Sequence, residues 1–213
     1  IESHQNSWKL TTTQGLFCSE KIMIATGSNS KIWNLLKQLG HRIVEAVPSL
    51  FTFTISDPRL ESIPGVVAKH VELSVKDSSL QSSGPLLVTH TGVSAPAVLK
   101  LSAHGALELA KRNYTFDLYV NFIAKEHIQC IEDLEVCKGH FPKKRILKTA
   151  LFDLPKRLWE QLVIGAELPP EMRWADMNKK QLEKLAMQLT SVVFKVTGKI
   201  TFKEEFVTAG GVE

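Results

Sequence analysis

The chain is poor in cysteine: Cys18, Cys130 and Cys137 are the only three in 213 residues. The count is odd and the spacing scattered, so no disulfide framework is encoded, and a reducing, cytoplasmic setting is the simpler reading. It lacks a strong charge excess. Twenty-six Lys and Arg against 22 Asp and Glu leave +4, too mild to mark a nucleic-acid partner. It lacks a membrane span: the longest stretch free of Asp, Glu, Lys and Arg, 78–99, carries five Ser, two Thr, two Gly, two Pro and His90, too polar for a transmembrane helix. No basic-then-apolar leader opens the chain, so no signal peptide is read. There is no G-x-G-x-x-G, and Gly198-Lys199 is followed by Ile200 where a P-loop needs Ser or Thr. The chain starts at Ile1 and stops just after Gly210-Gly211; both ends read as cuts through a larger protein. No internal repeat or low-complexity tract is present.

What is there is an ordinary globular composition, 44% hydrophobic and 23% charged, long enough for one large domain or two small ones. Residues 7–26 read as β. Trp8 and Leu10 alternate with polar residues, Gln14-Gly15 turns, and the apolar run Ile22-Met-Ile-Ala25 predicts a strand covered on both faces. A helix follows with Ser28 or Ser30 as its cap, Ile32, Leu35, Leu36 and Leu39 on one face, and Gly40 past its end. From 43 onward β signals dominate. Phe51, Phe53 and Ile55 alternate with Leu50, Thr52 and Thr54; Val71, Leu73 and Val75 with Glu72 and Ser74; Phe116, Leu118, Val120 and Phe122 with polar neighbours; Val192, Phe194 and Val196 likewise. Gly84-Pro85 opens Leu86-Leu-Val88, and Gly198-Lys199 turns toward Ile200 and Phe202. Short strands with turn signals suggest a small barrel or sandwich.

The stretch 96–111 predicts a buried helix capped by Ser94. Residues 126–190 read helical. Ile128, Ile131 and Leu134 share a face; Ile146, Leu147, Ala150 and Leu151 share another. Asp153 is expected to cap a helix that carries Leu158, Trp159, Leu162 and Val163 and stops before Gly165. Asn178 and Gln181 have capping-box spacing before Leu182, Leu185, Ala186 and Leu189, and Pro169-Pro170 separates these last two helices. The fold class expected is α+β.

Four constellations carry chemistry. Gly92-Val-Ser94-Ala-Pro96 has the strand–turn–helix setting of a nucleophile elbow, but Pro96 replaces the second Gly, and His140 and Asp153 come in the wrong order. The same helix start offers N–H donors to an anion or a polarised carbonyl. His127-x2-Cys130-x6-Cys137-x2-His140 suggests zinc, yet on one helix its ends stand about 20 Å apart, so structural cysteines are the simpler reading. Lys138, Lys143, Lys144, Arg145 and Lys148 form a run without an acidic residue, either a solvated face or a binding module for an anionic ligand or protein partner.

Several stretches in order resemble one family: Ile22-Met-Ile-Ala-Thr-Gly27, Leu39-Gly-His41, Val47-Pro-Ser-Leu50, Gly84-Pro-Leu-Leu-Val-Thr-His90, Gly92-Val-Ser94 with Pro96-Ala97, Leu154-Pro155 with Leu158-Trp159, and Phe202 to Thr208 running into Gly210-Gly-Val212. The chain resembles the BaiN-like (aminoacetone-oxidase-like) NAD(P)/FAD-dependent oxidoreductases, two-dinucleotide-binding flavoproteins, over their middle half. It departs from them at Ser28, where many members have a second Gly, and at Ala95, where Gly is usual.

The resemblance implies that 1–47 is the remnant of an α/β FAD-binding domain, to which 207–213 return. It makes 48–124 with 191–206 a small β-barrel-like domain and 125–190 a helical insert, expected to be separable. It implies FAD in the full-length protein with NAD(P)H as donor, and none in this chain, whose phosphate-binding loop is absent. Ala25, Thr26, Gly27, Gly210 and Gly211 are then the cofactor-binding candidates. Thr89, Thr91, Gly92 and Ser94 are the candidates for a small-molecule substrate, and His90 is the catalytic one. No nucleic acid, membrane or metal is expected to take part.

Overall fold

A computed structural model describes residues 1–4, 6–201 and 207–213. The chain divides into two compact units, Ile1–Val47 with Thr208–Glu213, and Pro48–Val207.

The smaller unit opens with an antiparallel meander of β1 (Glu2–His4), β2 (Ser7–Thr12) and β3 (Gly15–Ser19). Thr12 pairs with Gly15, so Thr13-Gln14 makes the turn and Gly15 follows it at φ +132°. The expected strand at Ile22–Ala25 does not form: residues 21–29 have no regular structure, Met23 is 90% exposed and Ile24 40%. A strand exists only when paired, and the described residues put no ladder beside this run. Next comes α1 (Ser30–Gln38). Its cap is Asn29, which accepts from Lys31 N–H, rather than Ser28 or Ser30, and Gly40 follows it at φ +91°. β4 (Ile43–Pro48) pairs with a carboxy-terminal strand, Thr208–Val212. Gly210 and Gly211 lie inside that strand. Leu36 is this unit's one buried hydrophobic side chain among the described residues.

The larger unit is a sheet and helices around one core. Its elements are β5 (Thr52–Thr54), α2 (Pro58–Glu61), β6 (Val67–Val75), β7 (Gln81–Thr89), β8 (Gly92–Ser94), α3 (Pro96–His104), α4 (Ala106–Lys111), β9 (Phe116–Asn121), α5 (His127–His140), α6 (Lys156–Gly165), α7 (Lys179–Thr190), β10 (Val192–Val196) and β11 (Gly198–Ile200); the strand Thr208–Val212 is β12. The sheet order is β10-β9-β6-β7-β8-β5-β11, antiparallel at every step. Flat, its edges would stand about 29 Å apart, six spacings of roughly 4.8 Å. Yet Thr197 alone joins β10 to β11, and its N–H donates to Thr54 O at 3.0 Å. One residue bridges at most about 7 Å, so the sheet curls on itself into a barrel. The protein is α+β.

Alternation fills the barrel as the sequence indicates. Phe51, Phe53, Leu73, Leu118, Val120 and Phe194 are buried, and Phe53 meets Phe116 edge-on at 5.2 Å. β7 starts at Gln81 and runs through Gly84-Pro85 instead of opening there. The register slips between Ala68 and Val71 opposite Gly84, which takes φ +140°. Such a bulge leaves the missing N–H of Pro85 unneeded. Gly198-Lys199 likewise belongs to β11, paired with β5, rather than to a turn; Phe202 lies outside the described residues.

The stretch 96–111 is two helices, not one. Gly105 separates them, and a Cβ there would lie 2.5 Å from Leu80 Cδ1. α5 buries Cys130 and Leu134 and leaves Ile128 72% exposed, so its buried face is turned from the one expected. Ile146–Lys148 is a single 3-10 turn, and Ala150 is exposed. Asp153 caps nothing: it stands at φ +54°, and α6 is entered from Pro155. Gly165 is the last residue of α6 rather than the one beyond it. The capping box of Asn178 and Gln181 forms as expected, each side chain bonding the other's backbone N–H at 3.0 Å. The helices share the barrel's core. Leu134, Trp159, Trp174, Leu185 and Leu189 form one buried cluster with the strand residues, and Phe122 packs on Phe194 at 6.3 Å.

Candidate functional site

In the smaller unit, a cleft of about 370 Å³ is walled by Ile24, Ala25, Thr26, Gly27, Trp33 and Val212, among others. The irregular loop before α1 supplies one side. Gly27 turns it at φ +62°, its carbonyl accepting from Asn29 N–H at 2.9 Å. The hydroxyls of Ser28 and Thr208 meet at 2.5 Å and tie this loop to β12. Gly210, at φ +106°, lets β12 lie close on β4: a Cβ there would sit 2.7 Å from Glu45 O. Arg42 and Glu213 close the end with a 2.7 Å ion pair. Ala25, Thr26 and Gly27 therefore share a cleft with Val212 of β12, while Gly210 and Gly211 of the same strand do not line it. Trp33 and His41 also line it; neither stood out as a site residue, because on the helix pattern Trp33 is merely an apolar position.

These residues fit part of a flavin. The walls mix apolar side chains with Thr26 and His41, and a Cβ at Gly27 would open into free space. That suits a flat ring system with polar edges. The volume is near the low end of the roughly 300–1,000 Å³ usual for small-molecule pockets, room for a ring system but not for a whole dinucleotide.

In the larger unit, Thr89, His90, Thr91, Gly92 and Ser94 are brought together on one tight hairpin. Thr89 pairs with Gly92, leaving His90-Thr91 as a two-residue turn with both residues exposed. Thr91 is held by its carbonyl, which accepts from Ile55 N–H at 3.0 Å. Gly92 is obligatory, since a Cβ would lie 2.1 Å from Phe53 O. Ser94 does not cap α3. It is paired within the sheet, and its Oγ accepts from Thr52 Oγ1 at 3.1 Å. This partner is a hydroxyl and not a histidine, so the elbow reading lacks its base. Ala95 occupies the cap position at φ +83°, ψ 175°, with no side-chain bond to the helix N–H groups.

The other constellations resolve structurally. His127, Cys130, Cys137 and His140 lie on one unbroken helix, and no metal-ligand cluster occurs among the described residues. His127 instead bonds Thr190 Oγ1 through Nδ1 at 2.9 Å and Glu183 through Nε2 at 2.7 Å. Burial, with a smaller push from Asp133, raises the Cys130 thiol to about 12, so it is an inert core group. In the basic run, Lys138 donates to Met177 O at 2.6 Å, and Lys148 pairs with Glu160 at 3.0 Å. A polar groove of about 640 Å³, missed by motif reasoning, crosses the outer sheet face between Glu72, Ser74, Gln81, Tyr119, Asn121 and Thr190. Its only sequence signal is the polar half of the strand alternation.

A barrel-like antiparallel sheet carrying helices between its strands is the architecture of a flavoprotein-related domain. Residues 47–207 match the model of the HI0933-like protein barrel and H2TH domain, and the chain belongs to that family, which is associated with FAD-dependent oxidoreductases. A curated relative is the ribosomal RNA dihydrouridine synthase of Escherichia coli strain K12. It is 26% identical over 206 residues, covering 91% of this chain and 48% of the relative. The chain thus spans about half the length of the curated relative it matches. Among the described residues, no helix is long and apolar enough to cross a membrane.

Proposed function

We propose that this chain is the substrate-side middle region of a BaiN-like flavoprotein reductase, and that the substrate to test first is a uracil base in ribosomal RNA. The observation that carries the reading is the cleft of the smaller unit. Its walls come from the loop at Ala25, Thr26 and Gly27 and from β12 near the other end of the sequence, with the barrel threaded between. That is the layout of a cofactor domain with a substrate domain inserted. The relative's name supports the choice of base, and the proposal replaces the expectation from net charge that no nucleic acid takes part.

FAD, when bound and reduced with NAD(P)H as donor, supplies a hydride. Ala25, Thr26 and Gly27, with the strand of Gly210 and Gly211, would hold its ring edge. The hairpin of Thr89, Thr91, Gly92 and Ser94, in the larger unit, would orient the base, and His90 would give the proton that completes addition across the C5–C6 bond. Residues 1–213 alone carry no phosphate-binding fingerprint and are expected to be colourless and inactive.

The test uses the full-length protein. It should purify with stoichiometric flavin and, given NAD(P)H, convert uridine to dihydrouridine in rRNA from cells lacking the gene, read as two added hydrogens by nucleoside mass spectrometry. His90→Gln should lower turnover at least about 100-fold with flavin content and melting temperature unchanged. A full-length protein without flavin defeats the reading; unchanged turnover in His90→Gln removes the acid.

A further inference from the structure

The densest charge of one sign in the sequence lies in the helical segment. Residues 138–148 hold five Lys and Arg and no Asp or Glu. Folding adds a sixth cation from a distant stretch. Ile146 N–H donates to Met172 O at 3.0 Å and Trp174 N–H to Lys144 O at 3.1 Å, so the two stretches run antiparallel with Arg145 directly opposite Arg173. Like charges at a cross-strand pair repel. The pairing is imposed from beneath, because the neighbouring Ile146 and Trp174 are core residues, 1% and 0% exposed.

The cations above that anchor are only partly compensated. Arg145 reaches exposed Glu171 at 2.6 Å and Lys148 reaches Glu160 at 3.0 Å. Lys144 sits 4.4 Å from the centre of the Phe141 ring, which positions the ammonium without neutralising it. Lys143, Lys144, Arg145, Lys148 and Arg173 thus outnumber Glu160, Glu171 and Asp176, the carboxylates beside them, on a surface anchored by core residues. Closely set guanidinium and ammonium groups match a ligand with regularly spaced single negative charges, which is a phosphodiester backbone.

We propose that Lys143, Lys144, Arg145 and Arg173 form a phosphate-binding surface that docks single-stranded RNA through its backbone. This rests on the RNA-substrate reading above and adds how the RNA is held. The surface positions and does not select sequence, since phosphate contacts carry none.

The probe is a fluorescein-labelled, uridine-containing single-stranded RNA, with binding to the full-length protein followed by anisotropy across a salt series. Removing one cation that neutralises a phosphate should flatten the slope of log K against log salt by about 0.7. Replacing all four by Gln (Lys143→Gln, Lys144→Gln, Arg145→Gln, Arg173→Gln) should flatten it by about 2–3, with at least 10-fold weaker binding at low salt. The milder Arg173→Gln should flatten it by about 0.7 alone, which guards against a misfolded quadruple variant. A control removing the exposed barrel cations Lys69, Lys100, Lys111 and Lys195 should bind as the wild type. A wild-type slope in the quadruple variant overturns the proposal. So does an equal loss in the control, or competition by polyglutamate as strong as by unlabelled RNA, which would point to an acidic protein. RNA binding that depends on these four cations, without dihydrouridine formation, would sink the functional reading alone. Dihydrouridine formation undiminished in the quadruple variant, with unchanged RNA affinity, would sink this surface alone.

Discussion

Ala95 holds a conformation that glycine enters freely and alanine does not, φ +83° with ψ 175°, at a cost of about 1–3 kcal/mol. Ser94 before it is locked into the sheet by its pairing with Leu87 and its bond from Thr52, and Pro96 behind it opens α3. The strain persists because both neighbours are fixed. Ala95→Gly should relieve it, offset by about 0.4–1 kcal/mol from the looser unfolded chain. The expected net is a gain of about 1 kcal/mol, seen as a higher urea midpoint with an unchanged slope. A lower midpoint would mean that the methyl's packing outweighs the strain. Ala95 was legible as an oddity because glycine is usual there in the family it resembles. That Ser94 would leave the cap empty was not legible, because its bond to Thr52 links residues 42 apart in the sequence.

Short elements are held by single side chains. α2 is one turn long, and Arg59 fastens it. Its guanidinium grips Asp57 by two bonds of 2.8 and 2.7 Å, reaches Gln188 on α7 at 2.9 Å and Val193 O on β10 at 3.2 Å, and lies 4.6 Å from the centre of the Phe194 ring. Burial alone would raise the Asp57 carboxyl, but the bonds and charge of Arg59 outweigh it and hold it below its ordinary 3.8. A lowered carboxyl stabilises the fold above its unfolded value, and the gain is lost as pH falls through the folded value. Asp57→Asn should therefore cost about 1–3 kcal/mol at pH 7, and the gap to wild type should close on acidification below about pH 4. A gap independent of pH would assign the loss to packing instead. The same contrast governs which elements could be read in advance. β6, β9, β10 and α7 were legible because their burial periodicity and caps are local. The loop at Ile22–Ala25 was not, because an apolar run becomes a strand only beside another strand. The cleft was half legible: Thr26-Gly27 stands out as a turn, while its approach to β12 spans almost the whole sequence.

The helical segment joins the barrel through a shared core, and this changes the expectation that it could be cut away. Phe122 N–H donates to Leu189 O at 2.8 Å, Arg59 reaches across to Gln188, and α7 runs straight into β10. Replacing 126–190 by a short Gly-Ser linker should strip cover from Phe122 and Phe194 and exceed the usual stability margin of about 5–15 kcal/mol. Circular dichroism should then show no cooperative transition. A surviving sharp β-type melt would show that the strands hold without the helices. The single-residue joint at Thr197 has a consequence for synthesis. β5 cannot meet its partner β11 until residue 200 has left the ribosome, and at roughly 5–20 residues per second the intervening stretch takes on the order of ten seconds. Throughout that interval the nascent chain carries an unpaired strand edge at Phe53, a ring wholly buried in the finished barrel. The helical segment ends at Thr190 and so emerges before β11, which makes closure of the sheet the last step that translation permits.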